Sequence, residues 1–166
     1  MYKLIGALII ILVFTLGGIS KAFALKIRIK NLNQFRNLFE DLKFEINLKS
    51  TELPDAVKRI GKKYNNECFI NWSSLMESSG AEPAFYQSLE SQLPRYRLNK
   101  NDTGVIKCIV ASLGRLDMES QISRLDCGIA SLDKYINEVT GMCNEKTRLY
   151  VTGSVLLGVF TVILFI

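Results

Sequence analysis

The chain of 166 residues has no histidine. That excludes the Ser-His and Cys-His nucleophile arrangements. Its four cysteines, Cys68, Cys108, Cys127 and Cys143, form no C-x-x-C pair, so zinc sites of the usual spacing are excluded as well. No G-x-x-x-x-G-K-[ST] loop is present to cradle a nucleotide phosphate. Glu40 and Asp41 are neighbours on a predicted helix and do not face each other. Glu90, Asp117 and Glu119 would need tertiary contacts to act as acid–base pairs. Neither enzymatic activity nor a cofactor is expected. The net charge of +5 is modest, and no basic run interleaves with stacking aromatics, so nucleic acid is not an expected partner. The cysteines read as buried, reduced thiols of a cytosolic domain, with a disulfide between distant helices as the alternative.

Two long uncharged runs are present, one at each end. Leu4 to Ile19 reads LIGALIIILVFTLGGI, and Leu149 to Ile166 reads LYVTGSVLLGVFTVILFI. The second is long enough to span a bilayer, and the first is of marginal length, which snorkelling Lys3 and Lys21 extend. A signal peptide competes for the first run, since Ala22-Phe23-Ala24 resembles an A-x-A cleavage site. The second run favours two retained spans, over 4–25 and 148–166. Lys21, Lys26, Arg28, Lys30 and Arg36 follow the first span, and Lys146 and Arg148 precede the second. By the positive-inside rule both asymmetries place residues 26–147 in the cytoplasm and leave short termini outside. Anionic lipid is the nearest partner for the flanking cations.

Between the spans the apolar residues recur at three and four, the helical period. Leu32, Phe35, Phe39, Leu42 and Ile46 mark a helix over about 28–49. Shorter helices are predicted from Pro54 to 61–64, over 67–78 before Gly80, and from Pro83 to just before Pro94. Another is capped by Asn101 or Asp102 and runs to about Leu113. A long one runs from Met118 into the second span. Ile122, Leu125, Ile129, Leu132, Ile136 and Val139 give it a heptad stripe, which reads as core or as an oligomer-forming coiled coil. The predicted fold is all-α: a six-helix bundle flanked by two transmembrane helices, its first and last helices packing as an antiparallel pair.

Leu113-Gly114-Arg115-Leu116-Asp117, followed by Gln121, resembles the L-G-x-x-D-x-x-x-Q signature of the stage III sporulation protein AB family. The opening Lys3-Leu4-Ile5-Gly6-Ala7 is similar to that family's start. Glu45-Ile46 with Leu53-Pro54-Asp55-Ala56-Val57 resembles its E-I and L-P-x-A segment. The resemblance implies a membrane protein of endospore formers, in the mother cell's outer forespore membrane, within the machinery linking mother cell and forespore. It further implies a domain similar to the cytoplasmic domain of type II secretion and type IV pilus F-type platform proteins. Those carry two such domains and typically three spans, against one domain and two spans here. The implied partners are a secretion-type ATPase like stage III sporulation protein AA and other stage III sporulation membrane proteins.

Two functional readings follow. In the first, the chain is a scaffold that docks the ATPase through the first helix and the 113–121 turn, with Glu45, Asp117, Gln121 and Arg124 as candidate contacts. Asp117 as a helix cap and Glu45 as a salt-bridged surface residue are the plainer alternatives. In the second, it is a membrane-bound sensor or regulator whose Trp72, Phe85, Tyr86 and Tyr96 line a small-ligand pocket, against which stands ordinary core packing.

Overall fold

The computed structural model describes residues 2–49, 52–111, 113–114 and 117–165, with side-chain surroundings for all of these except 2–5, 7–11, 48–49 and 165. Arg115 and Leu116 of the signature lie outside the described residues. Among the described residues there are six helices and no strand: α1 Tyr2–Lys49, α2 Leu53–Lys63, α3 Glu67–Ser79, α4 Ala81–Tyr96, α5 Lys100–Val110 and α6 Met118–Phe165. The chain divides into two compact units, Met1–Ile29 with Asn137–Ile166, and Lys30–Ile136.

The helical stripe on α1 lies in the core of the larger unit. Leu32, Phe35, Phe39 and Leu42 are fully buried, as is Leu38 between them. Leu125 and Leu132 of α6 are equally buried, which the heptad spacing anticipates. Arg36 Nε donates to Asp133 at 3.0 Å and Lys43 Nζ to Asp126 at 2.6 Å. These pairs stand seven residues apart on both helices and in opposite order, so α1 and α6 run antiparallel with ion pairs flanking their apolar seam.

The short helices pack on this pair through aromatic rings. Phe39 lies 5.7 Å from Phe69 and 6.1 Å from Phe85, and Trp72 meets both of those rings edge to face at 5.2 and 4.9 Å. Tyr96 meets Phe35 at 5.1 Å. Such ring pairs contribute about 0.5–1.5 kcal/mol each beyond buried area. Trp72 Nε1 donates to the Ala81 carbonyl at 2.7 Å, so its one polar atom is satisfied inside the core. Trp72, Phe85 and Tyr96 are therefore core residues. Tyr86 is half-buried, with its hydroxyl donating to Glu82 at 2.9 Å.

Three local expectations are corrected. α4 continues through Pro94 to Tyr96. Proline removes one helical donor, but Tyr96 is buried against Phe35, and Asn31 Nδ2 caps the Tyr96 carbonyl at 2.7 Å. The cap of α5 is Asn99 in a capping box with Asp102, and α5 ends at Val110 rather than Leu113. The box satisfies two otherwise orphaned donors at once, which neither Asn101 nor Asp102 as cap would do. Of the four free cysteines only Cys68 and Cys143 are buried, while Cys108 and Cys127 are exposed.

Candidate functional site

In the smaller unit the usual distribution of residues is inverted. Among the described side chains of the two apolar segments the buried positions are small: Gly18 and Ala22 of α1 and Gly158 of α6, while Val139 and Cys143 are buried nearer the start of the unit's α6 portion. A side chain at Gly18 would meet the Tyr150 carbonyl at 2.8 Å and Ser154 Cβ at 2.9 Å, so the two helix backbones approach closely there. The outward positions are apolar. Leu16, Ile19 and Phe23 of α1 and Leu156, Leu157, Phe160 and Ile163 of α6 are exposed. Small residues between helices and large apolar ones outside is the pattern of helix packing in lipid. α6 is long and apolar enough over Met118–Leu164 to cross a membrane, and 6% of its most apolar window is buried. The first expected span, 4–25, falls partly on side chains outside the described ones. Lys21, Lys26, Lys30, Lys146 and Arg148 are exposed, and Arg28 is half-buried.

In the larger unit the candidate contacts fall on two separate grooves. Glu45 lines an open groove of about 450 Å³ between α1 and α2, with Asp41, Phe44, Arg59 and Lys63. Arg59 Nη1 donates to Glu45 at 3.0 Å and Lys63 Nζ to Asp41 at 2.5 Å. Glu45 is thus salt-bridged. The hydrogen bond and charge of Asp41 hold the Lys63 ammonium above its ordinary pKa. Phe44 is 56% exposed beside these pairs. An aromatic ring ringed by charges of both signs can anchor a partner with an apolar knob and a charged rim.

Asp117 begins α6. Its Oδ2 accepts from Ser120 N at 3.1 Å and its carbonyl from Gln121 N at 2.9 Å, so it is the helix cap. The Ser120 side-chain and backbone donors hold its carboxyl below the usual value. Gln121 is half-buried on the first turn. Arg124 is exposed and lines a second groove between α5 and α6, with Cys108, Ile109 and Cys127. Glu90 pairs with Lys107 at 2.6 Å rather than with another carboxylate.

Arg59, Lys63 and Phe44 are absent from the sequence-derived candidates. The signal for the two cations was the position of α2, whose Ala56, Val57 and Ile60 are buried while Arg59 and Lys63 reach Glu45 and Asp41 of α1. Phe44 had no signal, because an apolar residue one step off a core stripe is not distinguished by spacing.

The structure also explains the signature residues. Gly114 has φ +80°, a left-handed conformation that disfavours any side chain. A Cβ there would meet Ala81 Cβ at 3.0 Å and Leu53 Cδ2 at 3.5 Å. Leu53-Pro54 and Leu113-Gly114, about sixty positions apart in the chain, therefore meet at one junction with the start of α4. No curated protein and no solved structure matches the chain. A sequence model of one family does, over residues 3–166, and by that match the chain belongs to the stage III sporulation protein AB family.

Proposed function

We propose that this protein is a non-enzymatic membrane platform of a sporulation-specific, secretion-like complex linking mother cell and forespore. Its two apolar segments, 4–25 and 148–166, anchor it in the outer forespore membrane. Residues 26–147 face the mother-cell cytoplasm and dock a secretion-type ATPase such as stage III sporulation protein AA, beside other stage III membrane proteins. The observation that carries the reading is the inverted packing of the smaller unit, with small residues between helices and large apolar side chains outside. In water that surface would aggregate; in lipid it is the ordinary solution. Membership of a sporulation family supports the setting. A likeness of the larger unit to F-type platform domains is part of the proposal.

The α1–α2 groove around Glu45 and Phe44 is the docking surface, with the Asp117–Gln121 turn and Arg124 as a second contact. The test is co-purification of the full chain, in detergent, with the ATPase. Charge reversal at Glu45 together with Phe44→Ser should reduce capture at least tenfold, about 1.4 kcal/mol, as expected for a central aromatic contact. Unchanged capture by a folded chain carrying Glu45→Lys and Asp117→Lys would remove these residues from the docking surface.

A further inference from the structure

We propose that Lys21, Arg148, Lys26 and Lys146 form a collar that binds the phosphate of an anionic phospholipid. The proposal rests on the membrane reading and names the lipid which that reading leaves open. In the smaller unit the backbone at Gly18 comes close to Tyr150 and Ser154. Lys21 stands three residues past Gly18, and Arg148 two before Tyr150. At a rise of about 1.5 Å per residue, each lies within about one turn of that crossing. Both also lie on its loop-proximal side, since Lys21 follows the crossing on α1 and Arg148 precedes it on α6. Lys26 and Lys146 continue the band away from the crossing.

All four side chains are exposed. Among the described residues none of the four forms an ion pair, whereas Arg36, Lys43, Arg59, Lys63, Arg95 and Lys107 each have a carboxylate partner. Other unpaired cations exist, such as Lys58 and Lys62 on α2. The collar differs from them in what adjoins it. Phe23 is 62% exposed, Leu149 70% and Tyr150 46%. Tyrosine with an apolar body and polar tip is the residue type of a membrane interface. The carboxylates nearest in sequence are Glu138 and Glu145 on α6; α1 has none between Tyr2 and Ile29. The cations are left in excess where lipid headgroups would lie.

The chemistry recognised is a phosphate oxyanion, which a free phosphate also carries. Only a lipid phosphate is held at this depth by acyl chains on the neighbouring apolar face. Each cation near an anionic surface strengthens association roughly fivefold.

The test uses the full chain in nanodiscs of phosphatidylcholine with a minor fraction of phosphatidylglycerol. Lipids retained after mild detergent extraction are counted by native mass spectrometry. Phosphatidylglycerol should be enriched roughly tenfold or more over its share of the disc, and the enrichment should fall at least about fivefold in Lys21→Gln/Arg148→Gln. The charge-conserving Lys21→Arg/Arg148→Lys should keep it. Should the neutral variant fail to insert, salt serves instead: enrichment by the native chain must fall as ionic strength rises, and salt-independent enrichment overturns the proposal. Displacement of the lipid by millimolar inorganic phosphate overturns it too, since the site would then take free phosphate. Insertion with a lipid ratio equal to the bulk sinks this inference alone; failure to enter any bilayer sinks the membrane reading with it.

Discussion

At Gly114 a backbone requirement and a packing requirement coincide. Its φ of +80° costs any L-residue about 1–2 kcal/mol, and Ala81 leaves a Cβ no slack. Gly114→Ala should lower stability by about 1–2 kcal/mol or slightly more, read from the denaturation midpoint of the detergent-solubilised chain; an unchanged midpoint would argue against a left-handed turn here. Asp117 makes a pH-dependent contribution. Its folded-state pKa lies below the ordinary carboxylate value of 3.8, so the stabilisation is fully present above that value. It is lost as pH falls through the lower, folded-state pKa. The difference in melting temperature between the native chain and Asp117→Ala should accordingly be constant near neutrality and shrink only below about pH 4. Trp72, like Phe85, Tyr86 and Tyr96, is by its sequence either a pocket or a core residue. Its full burial among Phe69 and Phe85 makes Trp72→Ala a core deletion costing about 3–5 kcal/mol, measurable as loss of the cooperative transition.

Helices bring their glycines into quite different company. Gly128 of α6 lies against α5, where a Cβ would stand 3.0 Å from Ile109 Cγ1 and 3.3 Å from its Cα. Gly141, thirteen positions on in the same helix, has nothing within 4 Å. Alanine is the better helix former by about 1 kcal/mol. Gly141→Ala should therefore stabilise by up to about that amount, while Gly128→Ala should gain nothing or lose stability because α5 must shift. Thermal unfolding of the two variants side by side decides it, and equal gains would mean α5 and α6 are not in contact. The α1–α6 ion pairs are half-exposed, with side-chain accessibilities of 28% for Lys43 and 58% for Asp126. A double-mutant cycle on that pair should return a coupling below about 1 kcal/mol that falls with added salt. The apolar seam, rather than the charges beside it, holds these two helices together.

For the whole molecule, the proposed topology makes the cysteines reporters. Cys108 and Cys127 are exposed, and Cys68 and Cys143 are buried. Burial pushes the Cys68 thiol up to about 12, so its reactive thiolate is scarce. A membrane-impermeant maleimide should label two cysteines per chain in vesicles whose cytoplasmic face is outward and none from outside vesicles that enclose that face. Two labels from outside would reverse the orientation. Four labels on the native chain would contradict the packing of α3 and α6.

Much of this was legible in the residues themselves. Helical period, the core stripe of α1 and the heptad of α6 follow from side-chain spacing, because a helix places every third and fourth residue on one face whatever surrounds it. The signature Leu113-Gly114 was likewise readable as a string. What spacing does not contain is company. That Pro94 sits inside α4, that Asn99 rather than Asn101 caps α5, and that Cys108 and Cys127 face outward all depend on what the rest of the chain presents to those positions. The same holds for the candidate contacts: Glu45 acquired Arg59, Asp117 acquired Ser120, and Glu45 and Arg124 came to line different grooves. By itself the sequence determined the family, the helical class and the apolar ends, each a property of local pattern. The tertiary structure alone decided which charges are paired and which glycines are crowded, since a contact between distant residues exists only once the helices have packed.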